Sequence, residues 1–183
     1  MYRVKAAGTF VVIALGSCLP ADNALKPISV CAVINDLRSY DGKVVSLRAE
    51  WAGTQYHGYF LSDKYRNAPC PGFPAEGVTT PSTIFPVDPG YTDPDHNDLL
   101  GVKIPFEQDK AAMERFDQLF KEWTGAHGLK TLEATFTGQI VVPKREIKIV
   151  CRRGEGCGGN GFGPHGASAA LFVLKTITDA SLK

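Results

Sequence analysis

The chain lacks an apolar run long enough to span a bilayer, for which about 20 residues are needed. Its most apolar stretch, Ala6 to Leu19, is interrupted by Gly8, Thr9 and Gly16-Ser17-Cys18. An excess of one charge is also missing, since 20 Lys and Arg face 19 Asp and Glu for a formal net charge of +1. Nucleic-acid binders and polybasic membrane binders carry a stronger basic bias, so nucleic acid is not expected as a partner. Histidine is sparse: His57, His96, His127 and His165 are scattered. No Gly-x-Ser-x-Gly elbow is present, and no serine or cysteine has an evident His/acid partnership, so no catalytic residues are assigned. The glycine-dense stretch from Gly154 to Gly166 lacks the Gly-Lys-Ser/Thr ending of a phosphate-binding loop and opens no predicted helix. Its glycines are better explained by unusual backbone angles beneath a packed neighbour. Metal motifs fail as well. Asp93, Asp95 and Asn97 have calcium-loop spacing, but the positions that need Gly and a bidentate acid hold Asp98 and Ile104. Cys151, Cys157 and His165 lack zinc spacing and a fourth ligand. Neither metal nor cofactor is expected.

What the N-terminus does have is Arg3 and Lys5 ahead of the apolar stretch, the charged and apolar regions of an export signal. The alternative is a buried N-terminal helix. The stretch ends in Leu15-Gly16-Ser17-Cys18, which resembles the lipobox of bacterial lipoproteins, whose cysteine thiol receives diacylglycerol and becomes the new N-terminus. The resemblance implies a signal peptide over residues 1–17, lipidation of Cys18, a linker over 18–27 and a membrane reached through the N-terminal lipid. It implies the bacterial cell envelope, facing the periplasm, and Leu19 after the cysteine favours the outer membrane over the inner. Soluble secretion is the alternative, but a cut after Ala24 would put the charged Asp22 where a small residue is expected. Removing residues 1–17 takes away Arg3 and Lys5 and leaves a charge of about −1.

The cysteines agree with export. There are five, and assigning Cys18 to the lipid leaves Cys31, Cys70, Cys151 and Cys157, an even set suited to disulfides. Several pairings are possible. Cys151 and Cys157 flank a glycine-rich loop and are the easiest to join locally, which leaves Cys31 with Cys70.

Periodicity supplies the elements. Ser29 can cap a helix in which Val30, Val33, Ile34 and Leu37 share a face, ending near Ser39. After the Asp41-Gly42 turn, Val45, Leu47, Ala49 and Trp51 alternate with Ser46, Arg48 and Glu50, as in a half-buried strand. Gly53 breaks that run, and His57 to Asp63 returns beside it. Residues 64–98 are proline-rich and irregular; only Ser82–Val87 and Leu99–Ile104 read as strands, and the latter is taken as the third. A helix is predicted from Gln108 to Trp123, with Ala112, Phe116, Leu119 and Trp123 on one face. Strands follow over Leu132–Val142 and Ala169–Thr178. The order β-β-β-α-β-β predicts a mainly β protein with helices, built as an OB-fold-like five-stranded barrel. Its main helix falls between strands three and four, and a short helix precedes the barrel. Residues 28–183 form a single domain in this reading; an unrelated α+β sandwich is the alternative.

Tyr40-Asp41-Gly42-Lys43-Val44-Val45 after Cys31, and Gly161-Phe162-Gly163-Pro164-His165-Gly166 before a strand ending Ile177-Thr178-Asp179, resemble a group of uncharacterised bacterial OB-fold-like envelope proteins. The resemblance covers about residues 28–63 and 130–180. It implies an exported OB-like domain and assigns no functional residue.

The loops after strand one and between strands four and five border the usual binding face of such a barrel. Here the second loop holds Lys144, Arg145, Lys148, Arg152 and Arg153, opposed only by Glu146 and Glu155. With His165, these cations are the ligand-binding candidates, suited to an anionic glycan, lipid or protein partner. A solvated hairpin stapled by Cys151 and Cys157 is the plainer reading. The expected function is a lipoprotein binding module rather than an enzyme. A hydrolase or nuclease using His165, or a purely structural subunit presenting Tyr56, Tyr59 and Phe60, are the alternatives.

Overall fold

A computed structural model of the chain describes residues 25–54, 58–63, 70, 75–77, 83–89, 91, 102–126, 130–144, 149–152, 156–159, 161–163, 166 and 168–183. The first elements are β1 (Ile28–Ser29) and α1 (Val30–Asn35). The Ser29 hydroxyl caps α1 by accepting the Ala32 amide at 3.0 Å. The carboxylate of Asp63 accepts the amides of Val30 at 2.6 Å and Cys31 at 2.9 Å. Three helix-end donors that have no intrahelical acceptor are thereby satisfied. The expected single helix to Ser39 is broken at Asp36, which leaves the helical region at φ −142°. A second turn, α2 (Leu37–Tyr40), follows.

The long strand β2 (Val44–Thr54) buries Val45, Leu47 and Ala49 as its alternation predicts. It does not break at Gly53. That residue stays in the ladder at φ +119°, where a Cβ would lie 2.1 Å from the Gly58 carbonyl oxygen. Glycine is therefore required to let the returning β3 (Gly58–Ser62) approach.

Next come β4 (Ala75–Gly77), β5 (Ile84–Val87), α3 (Lys110–Gly125), β6 (Leu132–Val141), β7 (Ile149–Arg152), β8 (Gly156–Gly159) and β9 (Ala170–Leu182). One edge of β2 takes β6 from Val44 to Trp51. The other takes parallel β1 at Leu47 and Arg48, then antiparallel β3 from Glu50 onward. The ladder continues β3-β5-β9-β6 and closes on β2 as a five-stranded barrel. The five barrel strands in chain order are thus β2, β3, β5, β6 and β9, with β5 and β9 parallel and α3 between the third and fourth. This is the OB-like arrangement that the sequence predicts.

The third strand is β5, not Leu99–Ile104. Residues 102–104 are not strand, and 99–101 lie outside the described residues. Val102, Ile104 and Phe106 instead pack on the barrel's outer wall, against a cluster of Val87, Val141, Phe162, Leu171 and Val173. Their alternation reflects one-sided packing without a ladder. The β3–β5 seam is correspondingly short, with Leu61 opposite Ile84 as its register pair. Pro86, two residues on, has no N–H to offer.

The barrel interior is filled by Leu47, Leu61, Ile84, Leu132, Phe136, Ile140 and Phe172, all fully buried. Over one end lies α3, begun by Asp109, whose carboxylate accepts the Ala112 amide at 3.0 Å and the Thr176 hydroxyl at 3.2 Å. The Phe116 ring meets Trp51 edge-on with centroids 5.1 Å apart, and Phe120 meets Tyr59 at 5.0 Å. These geometries suit aromatic quadrupoles and add to the area the rings bury.

Outside the barrel, β4 pairs parallel with β7, and β7 pairs antiparallel with β8, in a separate three-stranded sheet. The proline-rich segment that reads as irregular therefore contributes one strand to each sheet. No helix among the described residues is long and apolar enough to cross a membrane.

Candidate functional site

The cationic run begins where β6 ends. Lys144 is exposed, and Arg152 is the last residue of β7. Arg145, Lys148 and Arg153, with Glu146 and Glu155, lie outside the described residues, as does His165. Along the hairpin Arg152 is opposite Gly156 and Cys151 is opposite Cys157. The backbone alone is described there, so their pairing as a disulfide lies outside the described side chains. Cys31 and Cys70 are joined by a disulfide with Cα atoms 5.0 Å apart. This is the pair left over when Cys151 and Cys157 are assigned to each other.

Beyond the hairpin the glycines serve packing. Phe162 and Ser168 exchange backbone hydrogen bonds at 2.8 and 3.0 Å, which folds the loop so that Phe162 is fully buried. A Cβ on Gly161 would lie 2.3 Å from the Ser168 carbonyl oxygen, and one on Gly163 would lie 2.7 Å from the Phe85 ring. These contacts leave no room for side chains at Gly161 and Gly163.

Arg48 is exposed on the barrel wall formed by β2, β6 and β9. Its guanidinium donates to the Thr135 hydroxyl and the Asp179 carbonyl, each at 3.3 Å, and to the Glu133 carboxylate at 3.4 Å. Register explains the choice, since Thr135 is directly across from Arg48 and Glu133 is its diagonal neighbour. The Lys183 ammonium also donates to the Glu133 carboxylate. Lys183 first, and Arg48 after it, hold the Glu133 carboxyl below its ordinary value despite partial desolvation. Sequence reasoning misses Lys183 because only the strand register brings it to Glu133.

Tyr59 and Phe60 are half-buried, and Tyr59 belongs to the aromatic cluster under α3. Tyr56 lies outside the described residues, as do Asp93, Asp95, Asn97 and Asp98 of the calcium-like spacing. Cys18 and the whole of residues 1–24 lie outside them too.

Comparison of the chain with protein-family models, with curated proteins and with solved structures found no match in any of the three. The class is therefore defined by the strand order: a closed, OB-like barrel with an appended three-stranded sheet.

Proposed function

We propose that this chain is an exported bacterial envelope lipoprotein, anchored through lipid on Cys18, whose barrel is a non-enzymatic module for an anionic glycan, a lipid head group or an acidic protein partner. The observation that supports this is the placement of the cation-rich run. The run from Lys144 to Arg153 falls in the connection between the fourth and fifth barrel strands, where β7 and β8 pair outside the barrel ladder, and this connection borders the usual binding face of such barrels. Arg forks there suit carboxylates and phosphates, and the attraction between exposed charges is screened by salt.

The test uses anionic and neutral envelope glycans and vesicles with anionic or neutral lipids, each at low and high salt. Binding is expected to be anion-selective, to fall as salt rises and to weaken in an Arg152→Ala/Arg153→Ala double variant. Binding that ignores both salt and the substitutions would reject the hairpin as the site. The anchor is tested separately: Cys18→Ser should abolish incorporation of labelled palmitate in bacteria, and retained label would reject it.

A further inference from the structure

We infer that the end of the barrel at which β2 begins is a membrane-apposed face, with Leu25 entering an anionic bilayer and Lys26, Arg38, Lys43 and Lys144 resting on its head groups. The inference rests on the Cys18 anchor proposed above and adds which side of the domain that anchor presents. Six residues separate Cys18 from Leu25, so even a fully extended link keeps Leu25 within about 25 Å of the lipid. Leu25 is 48% exposed and is the one large hydrophobic residue so exposed among those described. A single apolar side chain in water is ordinary. One held by a short tether at a bilayer has a place to be buried.

Chain direction brings the cations to the same end. β1 runs parallel to β2, with Ile28 opposite Leu47, so Lys26 precedes it toward the start of β2. The turn into β2 is zipped to the end of β6. Gly42 N–H donates to the Ile140 carbonyl at 2.9 Å, and Ile140 N–H donates to the Lys43 carbonyl at 3.0 Å. The Arg38 guanidinium donates to the Pro143 carbonyl at 3.2 Å, beside Lys144. All four cations are exposed. The acids at this end are Asp36, which accepts the Ser39 hydroxyl at 2.6 Å, and Asp41, which accepts Val142 N–H at 2.9 Å. Among the described residues no carboxylate forms an ion pair with any of the four cations, and the Lys43 ammonium lies 5.9 Å over the Tyr40 ring. At the opposite end, by contrast, Lys130 is paired with Glu122 at 2.8 Å. The β2-start end is thus positive although the whole chain is nearly neutral. Basic side chains close to an anionic leaflet are drawn to it, and the attraction fades within a Debye length. Acyl chains supply the attachment, and the basic face sets the orientation.

The experiment uses the protein with residues 1–17 removed by the cell, purified from bacterial membranes, its lipid verified by mass. It is reconstituted in vesicles of brominated phosphatidylcholine, alone or with phosphatidylglycerol. Leu25→Trp puts an indole on the proposed face, and Thr124→Trp puts one at the opposite end, next to Trp123 of α3. Bromine is expected to quench the Leu25→Trp emission beyond the wild-type background in anionic vesicles, less so in neutral ones and less at high salt. Thr124→Trp should stay unquenched. Adding Lys26→Gln/Lys43→Gln, which spares residues 144–153, should lower the docked-to-free ratio by about fivefold for each cation lost. Near-ultraviolet circular dichroism from the Trp51 cluster reports the fold in every variant. Absence of quenching in a lipidated Leu25→Trp chain, equal quenching on neutral and anionic vesicles, or equal quenching of Thr124→Trp would each overturn the face while the anchor stands. A blue-shifted but unquenched indole at position 25 would point to a protein cover and overturn it as well. Absence of the lipid mass would reject the Cys18 anchor and this inference with it.

Discussion

Asp179 has φ +51°, a left-handed conformation shared with no other non-glycine residue among those described. It sits where β9 gains a residue on β6, the register stepping from Thr135 opposite Thr178 to Glu133 opposite Ser181. This is a β-bulge, and an aspartate tolerates it far better than a β-branched residue. Its carbonyl is tied down by Arg48 at 3.3 Å. Asp179→Val should therefore cost about 1–2 kcal/mol in urea unfolding, while Asp179→Gly stays near wild type. The bulge also explains a misplaced boundary. Alternation through Ile177 and Thr178 loses its phase there, so the strand reads as ending at Thr178 although it continues to Leu182. Next to it, Glu133 sets a pH dependence. Its folded-state carboxyl titrates below the ordinary value of 4.5, so its stabilisation is present above that pH and is lost as pH falls through the folded value. Glu133→Gln should flatten this acid limb of the urea midpoint as pH falls below the ordinary carboxyl value of 4.5. Added salt should shrink the difference, because Arg48 and Lys183 are largely exposed.

The elements with strong period were legible: β2 and β6 from alternation, and α3 from its spaced Phe116 and Trp123. Ser82–Val87 also reads as a strand, but Pro86 argues against a place inside a sheet, and the parallel ladder with β9 nonetheless makes Ile84–Val87 the third barrel strand in place of Leu99–Ile104. The elements that were missed have physical reasons. Ala75–Gly77 of β4 is too short to show a period, and its partner β7 is remote in sequence. The interruption at Asp36 that divides α1 from α2 has no sequence signal as strong as proline. What fastens α1 to the barrel is the Asp63 clamp together with the Cys31–Cys70 bridge, which spans 39 residues. Loop entropy of that length corresponds to about 4 kcal/mol. Cys31→Ser/Cys70→Ser should accordingly lower unfolding free energy by about 2–4 kcal/mol without abolishing the cooperative transition. The barrel's own ladder and its buried Leu47, Phe136 and Phe172 do not depend on the bridge. A loss below about 0.5 kcal/mol would mean that the oxidised form carries strain offsetting its entropy.

Two separate apolar packings hold the chain together, and both predict a core-like cost on truncation. The barrel interior is one. The other is the cluster on its outer wall, where Phe162 and Leu171 are fully buried beneath Val102, Ile104 and Phe106. This second cluster is why the first half of β9 is apolar on both faces, with Ala170 and Phe172 in the barrel core and Leu171 and Val173 in the outer cluster. Phe162→Ala should cost about 3–5 kcal/mol, as for a core phenylalanine, although it lies outside the barrel. The β4-β7-β8 sheet is different, because its strands pair with one another and not with the barrel ladder. Ile149 and Gly159 face each other at the base of the hairpin, so residues 150–158 can be replaced by an Asn-Gly turn, whose geometry suits a two-residue hairpin connection. The shortened chain should keep the near-ultraviolet signal of the Trp51 cluster and unfold within about 1–2 kcal/mol of the full chain, in the range of substitutions away from a core. It should also lose whatever salt-sensitive anion binding the full chain shows, since Arg152 and Arg153 go with it. A shortened chain that cannot fold would make the appended sheet part of the barrel's core. One that folds and still binds anions with unchanged salt dependence would place recognition on the barrel wall, where Arg48 is already committed to Glu133.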